Sequence, residues 1–190
     1  CREVLGLTDA DVFWCTADQG WITGPSYGIC GPWTLGATQV HYGGAYNAED
    51  WLRILGEQGV TVWFTAPTAI RMLMREPRRL FAKHKLKQLK RIYSVGEPLN
   101  PEAVRWVNRV LQKDIFDTWF QTETGTIMIT NRPGIPVKPG SMGKPVRGIS
   151  AAIISDTGRR LPNRQIGNLC LRAPWESMFI SYLGQPKAHR

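Results

Sequence analysis

Two short polar segments contain the residue types best suited to chemistry in this sequence. One is Asp117-Thr-Trp-Phe-Gln-Thr-Glu-Thr-Gly125, and the other is Ser94-Val-Gly-Glu-Pro98. Each continues a run of apolar residues typical of a buried strand, so hydroxyl, amide and carboxylate groups follow two strand exits. Ligands of parallel sheets bind at such exits, and Gly96 and Gly125 allow close approach of the backbone. The two segments together predict a nucleotide-sized cleft.

A third segment, Gly24-Pro-Ser-Tyr-Gly28, matches the G-x-S-x-G pattern of a hydrolase nucleophile. Asp117 and His189 follow it in the order of a catalytic triad. That nucleophile turn requires a long buried strand before the serine, whereas only three residues separate Gly20 from Gly24. A serine hydrolase is therefore a minor alternative, and Gly24-Pro25 predicts a turn instead.

Metal-binding and redox patterns are absent from the sequence. His41 and His84 have no second ligand at metal-binding spacing, and the cysteines form no C-x-x-C pair. Neither a Walker A loop nor a G-x-G-x-x-G motif occurs. Unpaired cysteines fit a reducing compartment, and no apolar run approaches the roughly 20 residues of a bilayer span, so we expect a cytoplasmic protein. The cysteines are Cys1, Cys15, Cys30 and Cys170.

The composition is that of one folded globular unit. Of 190 residues, 43% are hydrophobic and 21% are charged, which excludes intrinsic disorder and a disulfide-dense scaffold. The net charge of +9 comes mainly from nine basic residues between Arg71 and Arg91, where Glu76 is the single acid. Only Phe81 lies among them as a stacking platform, so a solvated surface is favoured over a nucleic-acid site. Attraction of an anionic cofactor is a second interpretation of this charge.

Strand and helix patterns alternate from residue 37 to residue 120. Asn47 and Asn100 are predicted N-caps, and Pro67 and Pro101 predict first helical positions. The strand patterns are short and apolar, as in strands that helices cover on both faces. The predicted fold class is therefore α/β, with a doubly wound, mostly parallel sheet flanked by helices. The predicted strands are residues 37–42, 60–65, 89–95 and 115–120.

The pattern changes after Asn131, where prolines and glycines leave no room for long helices. Ile149, Ala151 and Ile153 alternate with polar or small residues, and a turn at 156–158 leads to a return strand. We expect residues 1–132 to form the α/β part, and residues 133–190 to begin a small antiparallel β-rich subdomain of the same large domain.

The segments at 94–98 and 117–125 resemble the paired core motifs of the AMP-forming acyl-CoA synthetases, within the adenylate-forming superfamily. The resemblance is strongest to the acetyl-CoA synthetases, and it spans essentially the whole chain. It implies that residues 1–132 belong to the AMP-binding (adenylation) domain. Further segments that match in order are Trp14-Cys-Thr-Ala-Asp18, Gly20-Trp-Ile-Thr-Gly24, Thr65-Ala-Pro-Thr-Ala-Ile-Arg71 and Lys138-Pro-Gly-Ser-Met-Gly-Lys144.

The resemblance implies a two-step ligase reaction. A carboxylic acid and ATP give an acyl-adenylate and pyrophosphate, and the acyl group then passes to coenzyme A. The partners would be small molecules (a short acid, ATP and coenzyme A), with Mg²⁺ as the metal and no nucleic acid. By similarity, Thr122 would bond the α-phosphate and Glu123 would hold Mg²⁺, which makes them the catalytic candidates. The implied nucleotide-binding residues are Gly96, Glu97, Pro98, Asp117, Thr118, Trp119, Gln121 and Thr122.

Five residues match the acyl pocket of the family, and Ala66 matches a position near coenzyme A. Acetyl-CoA synthetases typically carry Trp where this chain has Phe120. Phe keeps the pocket small, so acetate is expected, but one methylene group discriminates by only about 1–3 kcal/mol. A propionate, branched-acid or medium-chain ligase is the alternative, and a noncatalytic nucleotide-binding module is another. The pocket residues are Trp21, Ile22, Thr23, Val95 and Phe120.

Several parts that the family uses are expected outside this sequence. The phosphate-binding loop would precede Cys1, whereas the ribose-binding Asp, the hinge and the C-terminal lysine would follow Arg190. We expect the parent protein to be an acid–thiol ligase and the chain alone to be inactive. The sequence leaves the oligomeric state open.

Overall fold

A computed structural model of the chain describes residues 1–185, and its main element is a seven-stranded sheet. The strands are β1 (Val12–Cys15), β2 (Thr38–Val40), β3 (Val62–Thr65), β4 (Arg91–Ser94), β5 (Ile115–Trp119), β6 (Ile129–Thr130) and β7 (Lys144–Pro145). They lie in the order β2-β1-β3-β4-β5-β6-β7. Neighbours from β2 to β5 are parallel, whereas β6 and β7 pair antiparallel. The predicted α/β fold with a mostly parallel sheet is confirmed.

Seven short α-helices connect and cover the described strands. They are α1 (Arg2–Leu5), α2 (Thr23–Pro25), α3 (Gly31–Trp33), α4 (Ala48–Glu57), α5 (Pro67–Leu73), α6 (Arg78–Lys83) and α7 (Pro101–Trp106). A π-helical turn, Ser26–Cys30, joins α2 to α3, and a second one, Val107–Leu111, extends α7. No helix in the described part of the chain is both long enough and apolar enough to cross a bilayer.

The helix starts follow the sequence signals. Asn47 Oδ1 accepts a hydrogen bond from the backbone N–H of Asp50 at 3.0 Å, and Asn100 Oδ1 accepts one from Ala103 at 2.8 Å. Each bond satisfies an N–H group that helix geometry leaves unpaired. Pro101 is the first residue of α7, where a missing N–H loses no hydrogen bond.

Two hydrophobic clusters cover the two faces of the sheet. Trp14 and Trp63, which are paired across β1 and β3, pack with side chains from α4, α5, α6 and α7. Their chain neighbours Phe13 and Phe64 belong to the second cluster, with Tyr27 and residues of α1. Because successive strand residues point to opposite faces, the sheet carries helices on both sides. The doubly wound arrangement is confirmed.

A second sheet contains β8 (Ala151–Ile154) and β9 (Asn168–Leu171), which pair antiparallel as the sequence predicts. Gly158, with φ at +79°, lies in the turn between them, where a left-handed residue favours glycine. The main sheet includes β7 and therefore continues past residue 132 to Pro145. The division of the chain at residue 132 stays a prediction.

Residues 23–33 are helical, so the turn predicted at Gly24-Pro25 is wrong. A Cβ on Gly24 would lie 2.5 Å from the carbonyl oxygen of Asp18, and a Cβ on Gly28 would lie 3.2 Å from Cys15 Cβ. Residues four apart share one face of a helix, so these two glycines let the helix approach the end of β1 closely. Close packing accounts for the glycine spacing.

The serine hydrolase alternative has no support in this geometry. Ser26 lies inside the helical stretch, whereas a hydrolase nucleophile sits on a strained turn directly after a strand. Asp117 lies in β5, and His189 lies outside the described residues.

Candidate functional site

The carboxyl ends of β3, β4 and β5 form one edge at which polar side chains replace the apolar core. Thr65, Ser94 and Asp117 are paired in register across these strands, and all three are buried. Thr118 Oγ1 donates a hydrogen bond to the carbonyl oxygen of Ser94 at 2.7 Å. Thr16 Oγ1, beyond the end of β1, donates to Thr65 Oγ1 at 2.7 Å. The polar segments that follow β4 and β5 therefore leave the sheet side by side.

Asp117 places a carboxylate inside this edge, with only 8% of the residue exposed. Its Oδ1 accepts a hydrogen bond from the N–H of Thr118 at 3.1 Å, and its own N–H donates to Asn131 Oδ1 at 2.9 Å. Burial raises the pKa of Asp117 to about 6, and the bond from Thr118 offsets only part of that rise. The pKa of Asp117 therefore lies near 6 rather than at its ordinary value of 3.8.

The loop after β4 carries Gly96, Glu97 and Pro98. Gly96 has φ at +91°, and a Cβ there would meet no neighbour, so backbone conformation rather than crowding favours glycine. Thr68 Oγ1 donates to Glu97 Oε1, and Arg71 Nη2 donates to Glu97 Oε2, both at 2.5 Å. Partial burial raises the pKa of Glu97, but these bonds and the Arg71 charge together hold it below its usual value. Glu97 is thus a charged side chain with fixed partners.

A short 3₁₀ turn, Thr122–Thr124, follows β5. The Thr124 hydroxyl stabilises this turn, since Thr124 Oγ1 accepts from the N–H of Gln121 at 2.9 Å and lies 3.0 Å from the carbonyl oxygen of Thr126. Thr124 is buried, whereas Gln121 and Thr122 are exposed. The turn therefore holds a hydroxyl and an amide side chain toward solvent on a fixed backbone.

Two of the predicted acyl-pocket residues pack in one cluster with an aromatic ring, and a third lies in the same helical stretch as that ring. Val95 and Phe120 belong to the cluster of Tyr27, whose ring centroid lies 5.2 Å from that of Phe120. Thr23 is buried in α2, four residues before Tyr27 in the same helical stretch. The structure thus groups apolar and hydroxyl side chains beside the end of β5.

Trp21 and Ile22 lie outside that cluster, and Trp21 is 73% exposed. Ala66 is the N-cap residue of α5, and its carbonyl oxygen accepts from the N–H of Ala69 at 3.0 Å. Because Ala66 directly follows β3, it lies at the same edge of the sheet as the two polar segments.

Comparison with known proteins assigns the chain to a family. The family model described as "AMP-binding enzyme" matches residues 1–183. The chain belongs to the AMP-binding enzymes. The resemblance stated from the motifs is thereby confirmed.

Curated relatives of this AMP-binding enzyme include two acetyl-coenzyme A synthetases. The Bacillus subtilis protein is 47% identical over 188 residues, and the Pyrobaculum aerophilum protein is 45% identical over 197 residues. Each match covers 99% of the chain, but only 33% and 29% of the respective relative. The chain therefore spans about a third of the length of these relatives.

Two solved structures share the fold. A Brucella canis acyl-CoA synthetase superposes with a TM-score of 0.82 at 35% identity, covering 90% of this chain and 31% of its own. The anthranilate CoA ligase AuaEII, crystallised in complex with anthranoyl-AMP, superposes with a TM-score of 0.85 at 31% identity. That match covers 95% of this chain and 34% of the ligase.

The AMP-binding enzyme also contains residues around the 3₁₀ turn that the sequence analysis missed. Trp175 Nε1 and Ser177 Oγ donate hydrogen bonds to the carbonyl oxygen of Thr124, at 3.0 and 2.7 Å. The Tyr182 hydroxyl donates to Glu123 Oε1 at 2.9 Å, and this bond raises the pKa of Tyr182. A segment after β9 therefore fixes both the backbone and the carboxylate of the turn.

Gly125 is the one residue in the sequence that indicates a contact between the 3₁₀ turn and the segment after β9. Its φ is +73°, and a Cβ there would overlap the carbonyl oxygen of Ser177. Glycine at this position indicates a close backbone approach. It does not indicate which segment approaches, because the contact joins residues about fifty positions apart.

A cavity of about 930 Å³ adjoins the same region from another side. Its walls include Tyr27, Ile127, Val146, Trp175 and Ser177, and none of the predicted site residues lines it. The cavity and the candidate nucleotide edge are therefore separate features of the chain.

Glu123 is the carboxylate of the 3₁₀ turn. Within residues 1–185, no group of three or more His, Cys, Asp or Glu side chains could hold a metal ion. Glu123 therefore offers one carboxylate, whose Oε1 is bonded to Tyr182.

Proposed function

We propose that the chain is part of a cytoplasmic AMP-forming acetyl-CoA synthetase, which joins acetate to coenzyme A at the expense of ATP. The observation that carries this proposal is the register of Ser94 with Asp117. It brings the two motif segments to neighbouring strand exits, where one adenylate can contact both. Relatives named acetyl-coenzyme A synthetase, at 45–47% identity, support acetate as the acid.

The nucleotide would lie between the loop after β4 and the end of β5. Gly96, Glu97 and Pro98 would contact one side of the adenosine, and the end of β5 would contact the other. Acetate would attack the α-phosphorus and pyrophosphate would leave, so the protein needs no covalent nucleophile. Its contribution is positioning and stabilisation of charge at the phosphate. The residues proposed from β5 and its turn are Asp117, Thr118, Trp119, Gln121 and Thr122.

Thr122 and Glu123 are the proposed catalytic groups. The exposed Thr122 hydroxyl can donate a hydrogen bond to an α-phosphate oxygen. The single carboxylate of Glu123 fits Mg²⁺, which commonly takes one or two protein carboxylates and completes its shell with substrate phosphates and water. Bound Mg²⁺ would neutralise charge on the phosphates. Tyr182 holds the Glu123 carboxylate at this position on the turn.

The acid would lie against Val95, Phe120 and Thr23, with Trp21 and Ile22 contributing from the segment before α2. Coenzyme A would approach near Ala66, at the end of β3. A longer acid is the second candidate, because Phe120 occupies less volume than the Trp that acetyl-CoA synthetases typically carry there.

Exchange of labelled pyrophosphate into ATP tests the first half-reaction in the full-length protein that contains this chain. We expect exchange to depend on both Mg²⁺ and acetate. Thr122→Val should reduce the exchange rate about a hundredfold, because one hydrogen bond to the reacting phosphate is lost. Thr157→Val, in the exposed turn after β8, is the matched control and should leave the rate unchanged.

Exchange that proceeds without any added acid would contradict the proposal. Equal rates for wild type and Thr122→Val would remove Thr122 from the mechanism. Exchange with a medium-chain acid but not with acetate or propionate would assign the enzyme to a different acyl class.

A further inference from the structure

Arg71 joins two neighbouring parts of the candidate site. Its Nη2 donates to Glu97 Oε2 and to Thr68 Oγ1, both at 2.5 Å, and Thr68 Oγ1 donates to Glu97 Oε1 at 2.5 Å. The three side chains therefore form a closed ring of hydrogen bonds. We call Thr68, Arg71 and Glu97 the exit triad.

The two ends of the exit triad differ in rigidity. Arg71 lies in α5, which is anchored by Ile70 and Leu73, both 0% exposed. Glu97 lies in a loop that contains exposed glycine and proline, and its neighbour Gly96 meets nothing at its Cβ position. A loop with a left-handed glycine and few neighbours is held in place mainly by its side-chain contacts. The ion pair therefore fixes a loop against a rigid helix.

The ion pair does little for the stability of the fold. The side chains of Arg71 and Glu97 are 39% and 36% exposed, and ion pairs at such exposure contribute little to unfolding. Its local effect is larger, because an unpaired Glu97 carboxylate would repel the phosphates of a nucleotide bound at this edge. Arg71 both orients that carboxylate and cancels its charge.

We propose that Arg71 is a positioning residue for the nucleotide, acting through Glu97 on the Gly96-Glu97-Pro98 loop. This inference rests on the proposed function. The ion pair also links α5, whose start lies beside the proposed coenzyme A position at Ala66, to the loop on the adenosine side of the site.

Steady-state kinetics and calorimetric ATP binding of the full-length protein test this role. Arg71→Met should raise the KM and the Kd for ATP about tenfold, because the loop is released and a negative charge is exposed. The turnover number and the KM for acetate should change less than twofold. Arg71→Lys, which keeps the charge but replaces the planar guanidinium by an ammonium group, should recover part of the ATP affinity. Thr68→Val should give an intermediate loss.

The matched control is Arg75→Met, which removes an exposed arginine just after α5 that forms no ion pair within residues 1–185. It should leave ATP affinity unchanged, which excludes a general effect of net charge. The urea midpoints of both variants should match that of the wild type. An unchanged Kd for ATP in Arg71→Met, or equal losses of ATP affinity in Arg71→Met and Arg75→Met, would overturn the proposal.

The binding measurement separates this inference from the proposed function. If the wild type binds ATP but shows no acid-dependent exchange, the synthetase assignment fails, while the Kd values of the variants still decide the role of Arg71. If the wild type binds no ATP, both proposals fail.

Discussion

Asp117 combines a charged side chain with a buried position at the end of β5. Its pKa is raised to about 6 from an ordinary value of 3.8, mainly because burial disfavours the carboxylate. The folded state therefore binds this proton more tightly than the unfolded state does. The contribution of Asp117 to stability is complete below pH 3.8 and is lost as the pH rises through about 6.

Replacing Asp117 by Asn should therefore stabilise the chain at neutral pH. Because the amide keeps an oxygen for the N–H of Thr118 but carries no charge, we expect a gain of about 3 kcal/mol at pH 7 and of less than about 1 kcal/mol at pH 4. Urea unfolding at the two pH values measures this difference. Asp114→Asn, an exposed position three residues earlier, should leave the free energy of unfolding unchanged. A D117N gain that is equal at both pH values would contradict the assignment of the titration to Asp117.

Phe120 is the residue that should set the size of the accepted acid. Phe120→Gly removes a ring that packs on Tyr27, so the pocket should accept a medium-chain acid. Each additional methylene group that fits the enlarged pocket should lower the activation free energy derived from kcat/KM by roughly 1 kcal/mol. Phe120→Trp should keep the acetate preference. The ratio of kcat/KM for hexanoate to that for acetate measures the change, and a ratio that stays constant in Phe120→Gly would place the acyl pocket elsewhere.

At the scale of single elements, the caps were the most predictable features. Asn47 is predicted from the acid three positions later, and Asn100 from the proline that follows it, because a cap depends only on residues close in the chain. The chain after β4 follows this local rule. Helix α7 begins at Pro101 and packs Ala103 and Val104 into the core. The cap at Asn100 therefore sets where the loop of Glu97 ends.

Asn100→Ala should lower the free energy of unfolding by about 1 kcal/mol, because the N–H of Ala103 loses its acceptor. Asn100→Asp, which retains the acceptor, should stay within a few tenths of a kcal/mol of the wild type. Denaturant titration of the three proteins tests this. If alanine and aspartate give the same midpoint, the cap bond does not stabilise α7.

Elements without a local signal were not predictable. β1 has four residues with both middle side chains buried, so it shows neither alternation nor a helical period. β6 and β7 have two residues each and exist because they pair with β5 and with each other. The helical stretch at 23–33 contains glycines that allow close packing, together with prolines, and this composition resembles that of a turn.

At the scale of the whole molecule, periodicity predicted the kinds of element but not their neighbours. The order β2-β1-β3-β4-β5 depends on contacts between residues far apart in the chain, such as the pairing of Trp14 with Trp63. The site shows the same limit. The motifs identified Glu97 and Glu123, but their partners Arg71 and Tyr182 lie 26 and 59 residues away and follow no spacing rule.

The two ends of the main sheet are short, and this bears on how the protein meets copies of itself. β2 has three residues and β7 has two, and β7 ends in Pro145, which has no N–H to donate. An added strand would gain very few backbone hydrogen bonds at either border. Aggregation by edge-to-edge strand pairing between copies of the chain is therefore disfavoured at both edges of this sheet.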